Sequence, residues 1–380
     1  MTERSAVAPR GLQDVIAGTT AISMVDPAGT LVYRGYDIDD LAEHASYEEV
    51  AYLLLMGELP RRDELARFSD SLVKERALSP FLLRLTDEMK GATPMDAMRT
   101  VVSASSREDA DEGDNSHQAN LRKSVRLVAK MPTIVAAYMR RRRRQEPIAP
   151  DPKKSHAENF AWMAFGDRAV TDASSILNVA FILQADHGFN ASTFTARVVA
   201  GTNADMHAAI TAALAALKGP LHGGATDGTM RQLQEIGTPD RAEAYVQRLF
   251  ASKGKLSGWG HRVYKEFDPR AKHLHRMARE LASRSSNGTL VEIQERLQEI
   301  VPRLWHGHSV KLFPNVDYYA ATTYNLLGID PDLGTSIFAI GRMAGWCAHV
   351  TEQHDDNRLI RPESEYTGAH GLRYVPIDQR

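Results

Sequence analysis

Helix-forming segments follow one another along almost the whole chain, and this succession restricts the fold more than any other feature. Gly, Pro and capping residues separate the segments. The longer predicted helices span 120–144, 173–186, 191–217, 227–251, 271–284, 289–301, 317–328 and 331–353. Strand-like runs are clear only near the N-terminus, where AISMV and TLVYRG flank the turn Asp26-Pro27-Ala28-Gly29. The sequence therefore predicts a mainly α protein with a minor N-terminal β-hairpin, rather than a doubly wound sheet.

The beginning and the end of a further helix are both encoded between residues 46 and 57. Ser46-Tyr47-Glu48-Glu49 is a capping box, in which Ser46 and Glu49 satisfy each other's free backbone N–H groups. Gly57 follows the apolar run EEVAYLLLM and suits the left-handed position that ends many helices. A helix is therefore predicted between these two signals.

Charge, hydropathy and cysteine content exclude several classes of protein. The formal net charge is −2, so no global basic field points to nucleic acid. No uninterrupted apolar run is long enough to span a bilayer, and MTERSAVAPR lacks the apolar stretch of a signal peptide. The single cysteine, Cys347, excludes internal disulfides and fits a reducing compartment. We expect a cytoplasmic protein that binds neither nucleic acid nor membrane.

Three short segments each place a proton-transfer residue beside Gly or Pro. They are GPLHGGA at 219–225, GWGHRVYKEFDPRA at 258–271 and FPNVDYYA at 313–320. Glycine lets backbone approach a ligand closely, and proline restricts a turn. A carbon acid reaction needs one base for the C–H proton and two donors for charge on oxygen. The three candidate catalytic residues are His222, His261 and Asp317.

Cationic side chains near these segments are candidates for binding a substrate with several carboxylates, because arginine offers a rigid, permanently charged fork. Arg270 lies a few residues beyond the second segment, and Arg361 directly precedes a proline. Arg342 lies in the apolar run GRMAGW, where an unpaired charge is costly. His187 ends a predicted helix, and a helix C-terminus favours a protonated imidazole that could hold a substrate oxygen.

The established motifs for a metal ion, a nucleoside triphosphate or a dinucleotide are absent from the sequence. Histidine pairs occur at 273–275 and 306–308, but no Cys cluster or HExxH spacing accompanies them. Neither GxxxxGK[ST] nor a strand-linked GxGxxG occurs. The run KGKLSGWGHRVYK at 253–265 combines exposed glycine backbone with three lysines, which suits a purine edge and phosphates. We expect no metal site and no permanently bound cofactor.

The chain resembles the citrate synthase family, in the short bacterial and archaeal type that includes 2-methylcitrate synthases. The resemblance runs from GLQDVIAGTTAIS and YRGYDIDDLA through NASTFTARV to NRLIRPESEY, which is nearly the whole chain. GPLHGG, GHRVYKEFDPRA and PNVDYY occur in the family's order and spacing. The resemblance implies a multi-helical fold with a large domain, residues 1–222 and 321–380, and a small domain, residues 223–320. The active site would lie in the cleft between them.

The resemblance also implies a role for each candidate residue. Asp317 would remove a methyl proton from acetyl-CoA, His222 would hydrogen-bond the thioester oxygen, and His261 would donate to the carbonyl of oxaloacetate. The residues that bind oxaloacetate would be His187, Arg270, Arg342 and Arg361, the last of them entering the partner subunit's site. The residues that bind coenzyme A would be Lys255, Leu256, Ser257, Gly258, Trp259, Lys265 and Lys311.

The activity that the resemblance implies is that of an acyltransferase of the tricarboxylic acid cycle. Acetyl-CoA, oxaloacetate and water would give citrate and coenzyme A, with the thioester as co-substrate and a homodimer as the working form. A 2-methylcitrate synthase that uses propionyl-CoA is the nearest alternative, because an apolar pocket discriminates one methylene by only about 1–3 kcal/mol. A helical scaffold without catalysis is a remote alternative, since His222, His261 and Asp317 are all present.

Three positions depart from the family's common pattern. Gly188 stands where many relatives have glutamate, Thr226 where asparagine is frequent, and Ala320 where serine is common. None of them removes a candidate catalytic group, so the departures bear on the tuning of the reaction and not on its kind.

Overall fold

The computed structural model describes residues 7–12, 14–285 and 288–380, and within them the protein is mainly helical. A small antiparallel sheet has the strand order β1 (Ser23–Val25), β2 (Leu31–Tyr33) and β3 (Tyr36–Asp37). The helices are α1 (Ile38–His44), α2 (Tyr47–Met56), α3 (Arg62–Glu75), α4 (Pro80–Glu88), α5 (Pro94–Ser105), α6 (His117–Arg142), α7 (His156–Phe165), α8 (Ala173–Gln184), α9 (Ala191–Ala200), α10 (Met206–Leu217), α11 (Ala225–Ile236), α12 (Ala242–Ala251), α13 (Ala271–Ser283), α14 (Thr289–Leu304), α15 (Val316–Leu326) and α16 (Gly334–Asp355). The predicted helical fold with a minor N-terminal hairpin is confirmed, and β3 extends that hairpin.

Helix α2 begins and ends at the residues that the sequence indicates. The Ser46 backbone N–H donates to Glu49 Oε2 at 2.7 Å, and the Glu49 N–H donates to Ser46 Oγ at 3.3 Å. Gly57 follows the helix with a φ of 95°, in the left-handed region where glycine carries no steric penalty. The capping box and the glycine stop are both confirmed.

Two of the predicted helices are each two helices in the structure. The segment 191–217 is interrupted after Ala200, and Asp205 begins α10 by accepting a hydrogen bond from the Ala208 N–H at 2.9 Å. The segment 227–251 is interrupted at Gly237, whose φ is 75°, and Pro239 follows it. An aspartate N-cap offers the backbone an alternative to continued helix, and a left-handed glycine ends one. The two predictions of unbroken helices were therefore wrong.

Helix α16 is the most deeply buried element and positions part of the candidate site. Every residue from Gly334 to Thr351 is buried, and the helix packs against α2, α6, α8, α9 and α10. A Cβ on Gly341 or Gly345 would lie only 2.6 or 2.1 Å from a backbone oxygen at the end of α8. Glycine therefore lets α16 cross α8 closely. No helix within the described residues is long and apolar enough to cross a membrane.

Helices α11 to α15 pack mainly on one another and correspond to most of the predicted small domain. Helix α11 contacts α14 and α15, α12 contacts α14, and α13 contacts α15. The start of α16 contacts the turn before α11, where the Thr335 hydroxyl donates to the Gly223 carbonyl at 2.8 Å. Helix α15 continues across residue 320 without a break. The division of the chain into two domains stays a prediction.

Candidate active site

Asp317 lies in the first turn of α15, where the helix dipole favours a carboxylate. The side chain of Asn315 caps the helix by accepting a hydrogen bond from the Asp317 N–H at 3.0 Å. The Asp317 carboxylate is half-buried, and its Oδ1 accepts a hydrogen bond from Thr226 Oγ1 at 2.9 Å. Burial raises the pKa of Asp317, while the Thr226 bond and the charges of Arg270 and Arg342 oppose that rise. The result is a carboxylate that is more basic than a solvated one.

His222 lies on a tight turn between α10 and α11. Its backbone N–H donates to the Gly219 carbonyl at 2.9 Å, and the Gly223 N–H donates to the Leu217 carbonyl at 3.0 Å. A Cβ on Gly223 would lie 2.4 Å from that Leu217 oxygen, so the turn requires glycine there. Burial and the charge of Arg342 lower the pKa of His222 to about 4. The imidazole is therefore neutral at physiological pH.

The hydrogen bonds of His222 assign its tautomer. Ser192 Oγ lies 2.8 Å from His222 Nε2 and accepts a hydrogen bond from Trp346 Nε1 at 3.2 Å. The Ser192 backbone N–H, which can only donate, lies 3.3 Å from the same Nε2. Nε2 is thus the acceptor, and Nδ1 carries the proton that a substrate oxygen can receive. Sequence reasoning missed Ser192 as the partner of this histidine and Trp346 as a partner of that serine, although NASTFTARV carries the serine.

His261 has the opposite assignment. Its Nδ1 accepts hydrogen bonds from the backbone N–H groups of Val263 and Tyr264, each at 3.1 Å. Nε2 therefore carries the proton of the neutral ring. Burial and the charge of Arg270 lower the pKa of His261 to about 4, and the ring stacks on that of Tyr264 with centroids 4.4 Å apart. His222 and His261 are both neutral donors, one through Nδ1 and the other through Nε2.

His187 is buried beside His261 and is not the protonated imidazole that its place after a helix suggested. The two histidine rings are 5.0 Å apart, and His187 Nε2 lies 3.0 Å from the Tyr264 hydroxyl. Burial and the charges of Arg270 and Arg342 lower the pKa of His187 well below its ordinary value. Desolvation and nearby cations thus outweigh the helix end. The neutral ring still has one N–H to donate.

Arg342 is buried on α16 and has no counter-ion in direct contact among the residues that the structure describes. Its Nε donates to the Gln184 carbonyl at 2.6 Å, and its guanidinium lies 4.6 Å above the Phe338 ring. Its Nη1 is buried and has no hydrogen-bond partner in the described part of the chain. Burial lowers the pKa of Arg342 to about 10, so the group remains charged at neutral pH. Unsatisfied donors on a buried cation are suited to a ligand carboxylate.

Arg270 is held by a neighbour that sequence reasoning missed. Asp268 receives two hydrogen bonds from the Arg270 guanidinium, each at 2.9 Å, and both residues are buried. Asp268 Oδ2 also accepts a hydrogen bond from the Val316 N–H at 3.0 Å, directly before Asp317. Asp268 therefore ties the substrate-binding candidate Arg270 to the helix that carries the base. Its position two residues before Arg270 was the available signal.

Arg361 is not brought to this cluster within one chain. It lies in the C-terminal segment 361–380, which is exposed throughout and contains no α-helix or strand. Large apolar side chains of the same segment are exposed as well: Tyr366, Leu372, Tyr374 and Ile377. The entry of Arg361 into the partner subunit's site stays a prediction.

The predicted coenzyme A segment 255–259 is held firmly beside α15. The Gln232 side chain accepts from the Ser257 N–H at 2.8 Å and donates to the Lys255 carbonyl at 2.9 Å. A Cβ on Gly258, whose φ is 74°, would lie 2.8 Å from Tyr318 Cα. Glycine is therefore required for this close approach.

The other members of the predicted coenzyme A set differ in exposure. Leu256 and Trp259 are buried and contribute to the core, whereas Lys265 is exposed. Lys311 is also exposed, and its Nζ lies 3.4 Å from a carboxylate oxygen of Glu266. The lysines are accessible to phosphates, while the two apolar residues shape the segment. Binding of coenzyme A by this set stays a prediction.

The close histidine pairs have partners of other kinds. His273 Nε2 lies 2.7 Å from Asp39 Oδ1, and His275 Nε2 lies 2.5 Å from a carboxylate oxygen of Glu295. His308 stacks on the Trp305 ring with centroids 3.8 Å apart. Across residues 7–12, 14–285 and 288–380, no group of three or more His, Cys, Asp or Glu could hold a metal ion.

Known proteins match this chain over nearly its full length. The family model described as "Citrate synthase, C-terminal domain" matches residues 11–363. Citrate synthase 2 of Bacillus subtilis is 44% identical over 375 residues, which are 98% of this chain and 99% of that protein. 2-Methylcitrate synthase 2 of Corynebacterium glutamicum is 40% identical over 378 residues, with 98% and 97% covered.

The three-dimensional comparison agrees with the sequence comparison. A citrate synthase of Thermoplasma acidophilum, solved in a ternary complex with carboxymethyl coenzyme A and oxaloacetate, superposes with a TM-score of 0.93 at 32% identity. The superposition covers 98% of this chain and 99% of that one. These findings confirm the resemblance noted in the motifs. The chain belongs to the citrate synthase family of condensing acyltransferases.

Proposed function

We propose that the protein condenses acetyl-CoA with oxaloacetate and water to give citrate and coenzyme A. One observation carries the proposal: a basic carboxylate, two neutral imidazoles and two buried guanidinium groups form one electrostatically coupled cluster. Its members are Asp317, His222, His261, Arg270 and Arg342. The Thermoplasma relative was solved with carboxymethyl coenzyme A and oxaloacetate, and these ligands correspond to the two proposed substrates.

In the first step Asp317 takes a proton from the acetyl methyl group. The electron pair of the C–H bond forms a C=C bond to the thioester carbon, and the π pair of the C=O bond moves to the thioester oxygen, which becomes an enol or enolate oxygen. His222 donates its Nδ1–H to that oxygen. Because the methyl group is a very weak acid, the base and the oxygen donor must act at the same moment and in fixed positions. His222 has a pKa of about 4 and is therefore neutral. It donates a hydrogen bond to the thioester oxygen, and it does not compete with Asp317 for the methyl proton.

In the second step the enol carbon attacks the ketone carbon of oxaloacetate, and a C–C bond forms. The ketone oxygen takes up the electron pair of the C=O bond and receives a proton from His261 Nε2. Arg270, Arg342 and neutral His187 hold the oxaloacetate oxygens during attack. Asp317 then returns the methyl proton through solvent to His261, which restores both groups. Water adds to the thioester carbon of citryl-CoA, the C–S bond breaks, one water proton goes to the sulfur of coenzyme A, and the other is released from the new carboxyl group of citrate.

The length of the acyl chain decides between the proposed activity and the nearest alternative. Relatives of both kinds match this chain, at 44% identity for a citrate synthase and 40% for a 2-methylcitrate synthase. We expect kcat/KM for acetyl-CoA to exceed that for propionyl-CoA about tenfold or more, with measurable activity on both, since one methylene is worth about 1–3 kcal/mol.

Oxaloacetate-dependent release of free thiol from each acyl-CoA measures this ratio. A preference for propionyl-CoA would assign the chain to 2-methylcitrate synthesis instead. No release with either thioester would favour a helical scaffold without catalysis, and omission of oxaloacetate serves as the control for simple thioester hydrolysis.

We also propose a homodimer in which Arg361 completes the partner subunit's site. Leu372 and Tyr374 of the C-terminal segment are exposed in the single chain. Exposed apolar side chains of this kind support a dimer, because a partner subunit would remove them from water. Mixing two inactive variants, Arg361→Ala and Asp317→Ala, is expected to restore up to about half the activity of the wild-type dimer in each mixed dimer. One site then has both defects, and the other has neither.

The complementation is measured after the two differently tagged variants are co-expressed and the mixed dimer is purified through both tags. Each variant purified alone is the control and is expected to be inactive. A mixed dimer without recovered activity would show that Arg361 acts within its own subunit, whereas an active Arg361→Ala variant would show that Arg361 has no part in the site.

The remaining proposals concern the setting of the reaction. Closure of a small domain, residues 223–320, onto a large domain, residues 1–222 and 321–380, would exclude water until citryl-CoA has formed. The packing of α11 to α15 on one another supports this division.

Coenzyme A would bind along segment 255–259, with phosphates at Lys265 and Lys311. A cytoplasmic role in the tricarboxylic acid cycle is supported by the citrate synthases among the relatives.

A further inference from the structure

We propose that Thr226 is a positioning residue for the base: its hydroxyl holds Oδ1 of Asp317 and leaves Oδ2 to take the substrate proton. The inference rests on the proposed function, because it concerns the proton transfer from the acyl-CoA. Thr226 is buried, with 2% of its surface exposed, and its Oγ1 lies 2.9 Å from Asp317 Oδ1.

The hydrogen bond joins the first turns of two helices that are distant in sequence. Thr226 is the second residue of α11, and Asp317 is the second residue of α15. Hydroxyls within helices commonly donate to a carbonyl of the preceding turn, but this one donates to the carboxylate of another helix. The Asp317 carboxylate is thereby fixed in one rotamer from outside its own helix.

Gly334, the first residue of α16, leaves room for the methyl group of Thr226. A Cβ on Gly334 would lie 2.6 Å from Thr226 Cγ2 and 3.2 Å from its Cβ, so the threonine methyl fills the space above the glycine. A β-branched side chain has few χ1 positions available, and here the methyl occupies the one beside Gly334. With the methyl in that space, Oγ1 lies toward Asp317.

The same hydrogen bond acts on the basicity of Asp317. Burial raises the pKa of Asp317, and the Thr226 hydroxyl is the largest opposing influence. The other charged or titratable groups that act on this carboxylate come from four elements: Asp227 of α11, Asp268 and Arg270 of the loop before α13, Tyr324 of α15 and Arg342 of α16. Removal of the hydroxyl leaves all of them in place. The pKa of Asp317 must then rise.

The test compares Thr226→Val, which keeps the shape and loses the hydroxyl, with Thr226→Ser, which keeps the hydroxyl and loses the methyl. The pH profile of kcat/KM for acetyl-CoA reports ionisations of the free enzyme. In Thr226→Val we expect the acidic limb to move up by about one pH unit, the size of one charge-assisted hydrogen bond. The plateau kcat is expected to fall about tenfold. Thr226→Ser should keep both within about twofold of wild type.

Gly334→Ala tests the same idea from α16. Its new methyl displaces the Thr226 side chain, so the acidic limb should move up as in Thr226→Val. The double variant Thr226→Ser with Gly334→Ala should return the limb toward wild type, because serine lacks the methyl against which the alanine clashes. Melting temperatures identify any variant that fails to fold, and the remaining variants then decide.

A uniform loss of activity at all pH values, with an unmoved acidic limb in Thr226→Val and Gly334→Ala, would overturn the proposal and leave a packing role. Failure of the proposed function is a separate result, namely a wild-type protein that condenses neither acyl-CoA with oxaloacetate. In that event, carboxyl-carbon NMR of aspartate-labelled protein, assigned with Asp317→Asn, still measures the pKa of Asp317. An equal pKa in wild type and Thr226→Val would then overturn the inference.

Discussion

Replacement of Asp317 by alanine is expected to lower kcat about 10³-fold and to leave the affinity for oxaloacetate within about twofold. Asp317 is the proposed base for the acetyl methyl group, and a positioned general base contributes about 10²- to 10⁴-fold to a proton transfer. Oxaloacetate is held instead by Arg270, Arg342 and His187 in the proposal. Loss of the carboxylate should therefore affect the chemical step and not the binding of the other substrate.

Steady-state thiol release measures kcat, and calorimetric titration with oxaloacetate measures its affinity. Asp227→Asn is the matched control, because Asp227 is the neighbouring half-buried carboxyl group, with a pKa that burial raises to about 6. The control should retain kcat within about fivefold, since Asp227 acts on Asp317 only through its charge. A control as inactive as Asp317→Ala would mean that the base has been assigned to the wrong carboxylate.

Replacement of Arg342 by methionine is expected to weaken oxaloacetate binding about 10²- to 10³-fold, because two charge-assisted hydrogen bonds are worth about 3–4 kcal/mol. The same substitution should raise the melting temperature of the ligand-free protein. Arg342 is 1% exposed, makes one hydrogen bond through Nε, and leaves Nη1 without a partner in the described residues. Removal of this buried charge removes the free-energy cost of its desolvation, which should stabilise the ligand-free fold. In the proposal, the arginine is retained because it binds a ligand.

The measurements are an oxaloacetate titration and thermal unfolding with and without oxaloacetate. Arg142→Met is the matched control, because Arg142 is a partly exposed arginine whose Nη1 lies 2.6 Å from Asp332 Oδ2. It should change oxaloacetate affinity by less than about twofold, as expected for an exposed ion pair. Unchanged oxaloacetate affinity in Arg342→Met would contradict the assigned role, and a lower melting temperature would show that the arginine supports the fold itself.

The helical fold could be predicted because its signals are local. Ser46, Glu49 and Gly57 delimit α2 through contacts within a few residues. The two predictions of unbroken helices were wrong for the same reason. The N-cap at Asp205 and the left-handed Gly237 each interrupt a helix within a single turn. Apolar periodicity across a long window does not register such an interruption. Helix identity was therefore predictable over 191–217 and 227–251, but helix continuity was not.

The candidate catalytic residues could be named from their turns, but their protonation states could not. His187 was expected to be protonated at a helix end, but burial and the nearby charges of Arg270 and Arg342 keep it neutral. Asp268 was visible only as a neighbour of Arg270, and nothing in its local pattern indicated that it also contacts the start of α15.

What the sequence determined by itself is the set of chemical groups and the class of fold. Periodicity, caps and glycine turns act over a few residues, so they can be read along the chain. The tertiary structure alone decided which atom of each group faces its partner. The Ser192 backbone N–H bond that selects the His222 tautomer spans 30 residues, and the Thr226 bond that holds Asp317 spans 91. Tautomer, rotamer and pKa depend on contacts at such separations, because burial and charge act through space and not along the chain.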